Sequence, residues 1–351
     1  MIRLNKIILD LKKTSRKKKL FSGFVISNTS KNFNDEYFFT PIRETKNIIF
    51  AGAVIYSEKK LKQLIKKIDG KVDYIFLDAE KKISSKLSND GVTANIERSG
   101  KEMIKKSKIL IFKANDLTLD AIDIFLSQIT LNDIRGMGNK KITILGAGNL
   151  GSKLALRLVE RGANVCINRR NKKNLLIITK ALNLIKPKST DSKVKYILDK
   201  YRASKGADIL ISTNTGEKII DEKIVKSLKS NSIILDAGKG TIHEKALALS
   251  IKRKIKIFRA DVTAAFHGLT SALLETENTI KKNLGRKIIE GFTFVSGGLL
   301  AAKNELVVND INNPKYFYGI GDGHGDFLRK FNLNNKKYKK VNQLIKKMKL
   351  K

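Results

Sequence analysis

The chain has 351 residues and 42% hydrophobic content, which excludes a disordered polymer and leaves room for two domains of ordinary size. A single cysteine, Cys166, excludes an intrachain disulfide. No apolar run approaches the ~20 residues that span a bilayer, so an integral membrane segment is not expected. Lysine and arginine number 71 against 33 aspartates and glutamates, a net charge of +38. The basic residues are spread along the whole chain and aromatics are only 7%, so the charge reads as solvated surface rather than as a nucleic-acid footprint. Such a field still favours anionic ligands.

The first 45 residues carry little pattern. "MIRLNKIILDLKKTSRKKKL" has no secretory apolar region, and with one cysteine a cytoplasmic setting is expected. Phe21–Thr29 suits a strand, and the basic stretch before it reads as a surface connection. From Asn47 the order becomes regular. "NIIFAGAVIY" is a strand, followed by a helix with Leu61, Leu64, Ile65 and Ile68 on one face and Gly70 as its stop. "VDYIFLDA" is a second strand, "EKKISSKLSND" a helix, "VTANIER" a third strand, "SGKEMIKKS" a helix and "KILIFKA" a fourth strand. This alternation predicts a small parallel sheet with packed helices. Leu117–Ile134 predicts a long helix, broken by the glycines of "RGMGNKK".

A second α/β run follows. Strands are expected at "KITILGAG", "ANVCIN", "ADILIST", "SIILDAG" and "IKIFRADV", with helices between them, one spanning "KVKYILDKYRAS". The order is that of a doubly wound dinucleotide domain. Gly268–Gly285 predicts another helix. The basic tail predicts an amphipathic helix with Val341, Leu344, Ile345 and Met348 on one face, packed on its own protein or frayed. "GDGHGDF" alternates Asp322, His324 and Asp326, but reads as a solvated turn, and no metal is expected.

Gly146-Ala147-Gly148-Asn149-Leu150-Gly151 fits G-x-G-x-x-G between a strand and a helix. Gly146 permits the turn, Gly148 lets a pyrophosphate approach the backbone, and Gly151 lets helix and strand pack. Where an acid would bind the ribose 2′-hydroxyl, the chain has Asn168, Arg169 and Arg170. An acid would repel a 2′-phosphate, whereas arginines bind one bidentately, so the residues predict NADP over NAD. Thr213-Asn214-Thr215-Gly216 and Ala237-Gly238-Lys239-Gly240 follow later strands and should face the cofactor.

"GAGNLGSKLA", "INRRNKK", "ADILISTNTG" and "SIILDAGKG" together resemble the shikimate dehydrogenase, methylene-tetrahydrofolate dehydrogenase and glutamyl-tRNA reductase group, over residues from about Asp116 to Leu284. "INRRNKK" is similar to the segment with which shikimate dehydrogenases hold NADP. The resemblance implies an N-terminal α/β substrate lobe over 1–116, a crossover helix and linker over 117–137, an NADP-binding Rossmann domain over 138–267, and a returning helix with a C-terminal segment over 268–351. It departs from the group in the first lobe. The lysine stretch N-V-T-x-P-x-K is absent, and no cysteine there could serve as a reductase nucleophile. "NDLTLD" partly matches the shikimate dehydrogenase N-T-D, which offers Asp116 or Asp120, while Tyr56 and Lys60 match the Y-x-x-x-K of folate dehydrogenases.

Hydride transfer to a carbonyl needs a group that gives or takes the hydroxyl proton. His267, after the last strand, and Lys113 with Asp116, at the end of the first lobe's last strand, are the candidates alongside Asp120. The expected protein is a two-lobed NADP-dependent oxidoreductase acting on a small anionic metabolite, with a homo-oligomer left open. The rival readings are a Rossmann protein using its nucleotide for sensing or non-redox chemistry, and a basic protein binding nucleic acid or a membrane surface.

Overall fold

The computed structural model describes residues 2–29, 38–83, 95–214, 217–328 and 336–350. Contacts between Cα atoms group the chain into two units, Met1–Leu269 and Thr270–Lys351.

The first unit opens with helix α1 (Ile2–Lys18). Its residues Leu4, Ile8 and Leu11 follow helical spacing and are buried against the first sheet. The expected surface connection before Phe21 is therefore the last turn of a packed helix. Its lysines hid the apolar stripe.

Strands β1 (Phe21–Asn28), β2 (Phe38–Glu44), β3 (Ile48–Ile55), β4 (Tyr74–Asp78) and β5 (Lys108–Phe112) form a sheet of order β2-β3-β1-β4-β5. Only β2 runs antiparallel to its neighbour. β3 and β4 are nearly continuous apolar runs, as strands covered on both faces must be. Helices α2 (Glu58–Ile68) and α3 (Ile96–Met103) pack on the sheet. Two expectations fail here. Residues 80–83 are not helical, while 84–90 lie outside the described residues. The expected strand over Val92–Arg98 becomes, from Ile96, the start of α3, because the Asn95 side chain accepts from the Arg98 N–H at 3.1 Å and caps the helix; 92–94 lie outside the described residues.

Helix α4 (Ala114–Ile129) leads to the second sheet. Strands β6 (Lys141–Leu145), β7 (Asn164–Asn168), β8 (Val194–Tyr196), β9 (Ile209–Ser212), β10 (Ile233–Asp236) and β11 (Lys256–Arg259) are all parallel, in the order β11-β10-β9-β6-β7-β8. This is the doubly wound Rossmann order, with its switch point between β6 and β9. Helices α5 (Asn149–Glu160) and α6 (Lys172–Ile185) join α4 in one apolar cluster through Leu158, Leu175 and Ile122. Helices α7 (Lys200–Ser204), α8 (Glu222–Ser227) and α9 (Glu244–Lys252) feed a second cluster through Tyr201, Ile224 and Ala246. The helix expected over Lys193–Ser204 divides: Val194–Tyr196 pairs with β7 as β8, and only the end is helical.

The helix expected from Gly268 starts earlier, as α10 (Thr263–Asn278). Phe266 is buried against the first sheet, its ring centroid 4.1 Å from that of Phe50 and 4.9 Å from that of Phe76.

In the second unit, β12 (Arg286–Ile289), β13 (Phe292–Ser296), β14 (Leu306–Val308) and β15 (Phe317–Ile320) form a mixed sheet in chain order. Helix α11 (Lys336–Lys347) buries Val341 and Leu344 in a cluster with Phe294, Leu306 and Val308, so the basic tail packs on its own protein. The Asp322 carboxylate accepts from the N–H groups of His324 (2.7 Å) and Asp326 (3.1 Å), which makes "GDGHGDF" a closed turn. Among the described residues no helix is long and apolar enough to cross a membrane.

Candidate functional site

The site lies in the first unit, at the carboxyl ends of the Rossmann strands. β6 ends at Leu145, and the chain turns through Gly146, whose φ of 108° favours glycine. The Asn168 carbonyl accepts from both the Gly146 and the Ala147 N–H at 3.0 Å, fixing the turn to the end of β7. The three glycines divide their work by what a Cβ would meet. At Gly146 it would lie 2.2 Å from the Asn214 Oδ1, and at Gly151 it would lie 2.2 Å from the Gly146 carbonyl oxygen. At Gly148 it would meet nothing within 4 Å. Gly146 and Gly151 are thus demanded by the protein's own packing, whereas Gly148 borders open space. Gly148 is also the N-cap of α5 and has no side chain to cap the N–H groups of Asn149 and Leu150. Free N–H groups at a helix start, in front of an open glycine, form an anion cradle.

At the end of β7, Asn168 is buried and donates from Nδ2 to the carbonyls of Ile197 and Leu198, both at 2.8 Å. Both amide hydrogens are therefore committed to the loop before α7. Arg169 is half-buried and donates from Nη1 to the Ala147 carbonyl at 3.0 Å, so its guanidinium adjoins the phosphate turn. Arg170 is exposed, with Glu217 at 3.3 Å.

The loops after β9 and β10 complete the rim. Thr213 Oγ1 donates to the Gly146 carbonyl at 2.5 Å. A Cβ at Gly238 would lie 1.7 Å from the Asn214 carbonyl oxygen, so the two loops touch. Asp236 organises the second loop, accepting from the Gly240 N–H at 2.7 Å and the Thr241 Oγ1 at 2.9 Å. Thr215, expected at this rim, lies outside the described residues.

The catalytic candidates separate. Lys113 and Asp116 pair at 3.3 Å, but the Lys153 Nζ of α5 is closer to Asp116, at 2.6 Å. That hydrogen bond, more than Lys113, holds the Asp116 carboxyl below the usual carboxylate range against the opposing effect of desolvation. Asp120 pairs with Arg157 at 2.6 Å, and Asp123 with Arg161 at 2.8 Å. The three pairs ascend together, so α4 and α5 run parallel and the ladder clamps them. Asp120 is a rung of that ladder. His267 stands apart from these pairs: its Nδ1 is buried with no hydrogen-bond partner among the described residues. Tyr56 and Lys60 flank Ser57, whose side chain accepts from the Lys60 N–H and caps α2.

In the sequence Lys239 is only one residue of a glycine-rich turn, because what distinguishes it is tertiary. It holds a left-handed φ of 64°. Its side chain reaches solvent, yet desolvation first, then Arg43 and Arg259, push its pKa below the ordinary lysine range.

Residues 141–240 match the family described as NADP oxidoreductase, coenzyme F420-dependent. That segment is a Rossmann domain of the NAD(P)-dependent oxidoreductase type. A glutamyl-tRNA reductase from Thermosipho melanesiensis is 30% identical over 156 residues, which are 44% of this chain and 37% of that protein. The chain thus spans well under half the length of this curated relative. Among solved structures, the D-lactate dehydrogenase from Escherichia coli has a TM-score of 0.36 at 14% identity, over 74% of this chain and 96% of that one. The hetero-hexameric glutamate dehydrogenase from Thermus thermophilus has a TM-score of 0.43 at 12% identity, over 75% and 70%.

Proposed function

We propose that the protein is an NADP-dependent oxidoreductase that moves a hydride to or from a small anionic metabolite. The observation that carries this reading is Arg169 at the end of β7, bonded to the phosphate turn, with Arg170 beside it in the sequence where an acid would bind the ribose. The N–H groups of Asn149 and Leu150 would hold the diphosphate in front of Gly148, beside Gly146 and Gly151. The two arginines would hold the 2′-phosphate. Thr213, Asn214 and Gly238 would border the nicotinamide half, because they lie across the switch point from β7; Thr215, outside the described residues, is proposed with them from the sequence. NADPH, when bound, supplies the hydride.

His267 is the group we assign to the proton. In reduction, carbon gains the hydride and the carbonyl oxygen gains a proton from the imidazolium, leaving the neutral ring; in oxidation the neutral ring takes the hydroxyl proton as carbon gives up the hydride. Its unpartnered Nδ1 favours it over Lys113 and Asp116, which already satisfy one another and Lys153. In this reading Asp116 stays ionised and positions its two lysines. The test is a titration with NADPH and NADH, followed by turnover with hydroxy acids, keto acids and cyclic polyols. Turnover that Arg169→Glu removes with NADPH supports the reading. Absence of binding by either nucleotide overturns it.

A further inference from the structure

Lys12, Arg16, Lys19 and Lys71 line one cavity of about 480 Å3 in the first unit, together with Phe21. It lies at the amino end of the first sheet, between the last turns of α1, the start of β1 and the turn that joins α2 to β4. Lys12 and Arg16 are four residues apart and share a face of α1. The helix closes with Lys19 at a left-handed φ of 54° and the Leu20 N–H bonded to the Ser15 carbonyl at 3.0 Å, so the backbone fixes where Lys19 stands. Lys71 is fixed by its own N–H, bonded to the Ile68 carbonyl at 2.9 Å. The neighbouring Lys18 pairs with Glu44 at 2.7 Å, whereas among the described residues the charged groups of these four have no hydrogen bond or ion pair. The acid in the lining, Asp73, is taken: its Oδ2 accepts from the Ser22 N–H and from the Ser22 Oγ, both at 2.7 Å. Phe21 is 48% exposed. Its ring meets that of Tyr74 at 88°, with centroids 5.3 Å apart, so Tyr74 leaves at least one of its faces uncovered.

Basic side chains gather at helix ends to complement the dipole, which accounts for Arg16 and Lys19. It does not account for Lys71, which belongs to another element, nor for a large aromatic ring left in water beside them. The cavity has the size of a small-ligand pocket. Four unpaired cations call for phosphate, and an open aromatic face calls for a flat ring. We propose that this cavity seats a nucleoside phosphate, its phosphate held among Lys12, Arg16, Lys19 and Lys71 and its base stacked on Phe21. One aromatic takes one base, so the ligand is a single nucleotide unit, free or within a single strand. This is a different place from the dinucleotide turn, which lies at the carboxyl ends of the second sheet. The proposal does not depend on the dinucleotide reading.

The test is calorimetric titration of the full chain with uridine 5′-monophosphate and with ribose 5-phosphate, which lacks the base, at one ionic strength. The nucleotide should bind about tenfold more tightly, the worth of one stacked base. Phe21→Leu, which keeps an apolar group against Tyr74, should remove that difference and leave ribose 5-phosphate binding unchanged. Lys12→Gln combined with Lys71→Gln should weaken both ligands about tenfold or more, through two lost charge-assisted contacts. Lys59→Gln combined with Lys66→Gln, an equal charge change on the exposed face of α2, should leave both within about twofold. Circular dichroism should be native in all three variants. Equal binding of the two ligands, a difference that survives Phe21→Leu, or equal losses in the two lysine pairs overturns the proposal. A fluorescein-labelled oligouridylate then names the source. Binding far tighter than the mononucleotide and weakened by Phe21→Leu makes it a single strand; binding no tighter, or untouched by Phe21→Leu, makes it a free nucleotide.

Discussion

Arg169 donates to the Ala147 carbonyl at 3.0 Å, so the basic end of β7 and the phosphate turn after β6 are one piece of structure. A charge change at Arg169 should therefore be felt at the 2′-phosphate first and at the turn second. Arg169→Glu should weaken NADPH by about 100-fold or more, since it removes a charge-assisted contact and adds repulsion. NADH should weaken by no more than a few-fold. Arg170→Glu, at an exposed side chain, should lower NADPH affinity without touching NADH. Fluorescence titrations of both variants check this.

The glycines of the turn should separate binding from stability. Gly148→Ala adds a methyl into open space at an ordinary negative φ, so melting should change by less than about 0.5 kcal/mol while dinucleotide affinity falls at least tenfold. Gly151→Ala drives a methyl onto the Gly146 carbonyl and should cost about 1–3 kcal/mol whether or not a nucleotide is present. Denaturant melts with and without NADPH distinguish the two.

The ladder between α4 and α5 yields a pH prediction. The Asp116 carboxyl is depressed, chiefly by Lys153, so the stability it contributes is present above the unfolded aspartate value, about 3.9, and is lost as pH falls through the lower folded value. Lys153→Met should make the melting temperature fall less steeply with acid in that window than the wild type does. The groups are partly exposed, so the effect at neutral pH should stay within about 1 kcal/mol. Asp120→Asn should cost a similar amount and leave turnover within about twofold.

Cys166 lies inside β7, and burial pushes its thiol up to about 11. It should not react with a disulfide reagent at mildly alkaline pH in the folded protein, and should react fully once the chain is unfolded in denaturant. Rapid labelling of the native protein would contradict the placement of β7.

What the sequence disclosed follows from how local each signal is. The phosphate turn was legible because its glycine spacing, leading strand and amphipathic helix lie within one short stretch. The Rossmann strands were legible as apolar runs, except β8, where only Val194 is buried and Lys195 and Tyr196 are exposed. That pattern carries no strand period. α1 was hidden because Leu4, Ile8 and Leu11 are diluted by lysines, although their spacing was there to read. Asn168 stood where expected, but its side chain turned to carbonyls of the β8–α7 loop that no spacing rule brings near.

The central claim is that this Rossmann domain holds NADP through arginines at the end of β7. The chain has no tryptophan, so nicotinamide fluorescence can be followed without that background. Parallel titration of the wild-type protein with NADPH and NADH tests the claim most directly. NADPH should bind at least about tenfold more tightly, the worth of one added charge-assisted phosphate contact. Equal affinity for the two, or binding of neither, would contradict it.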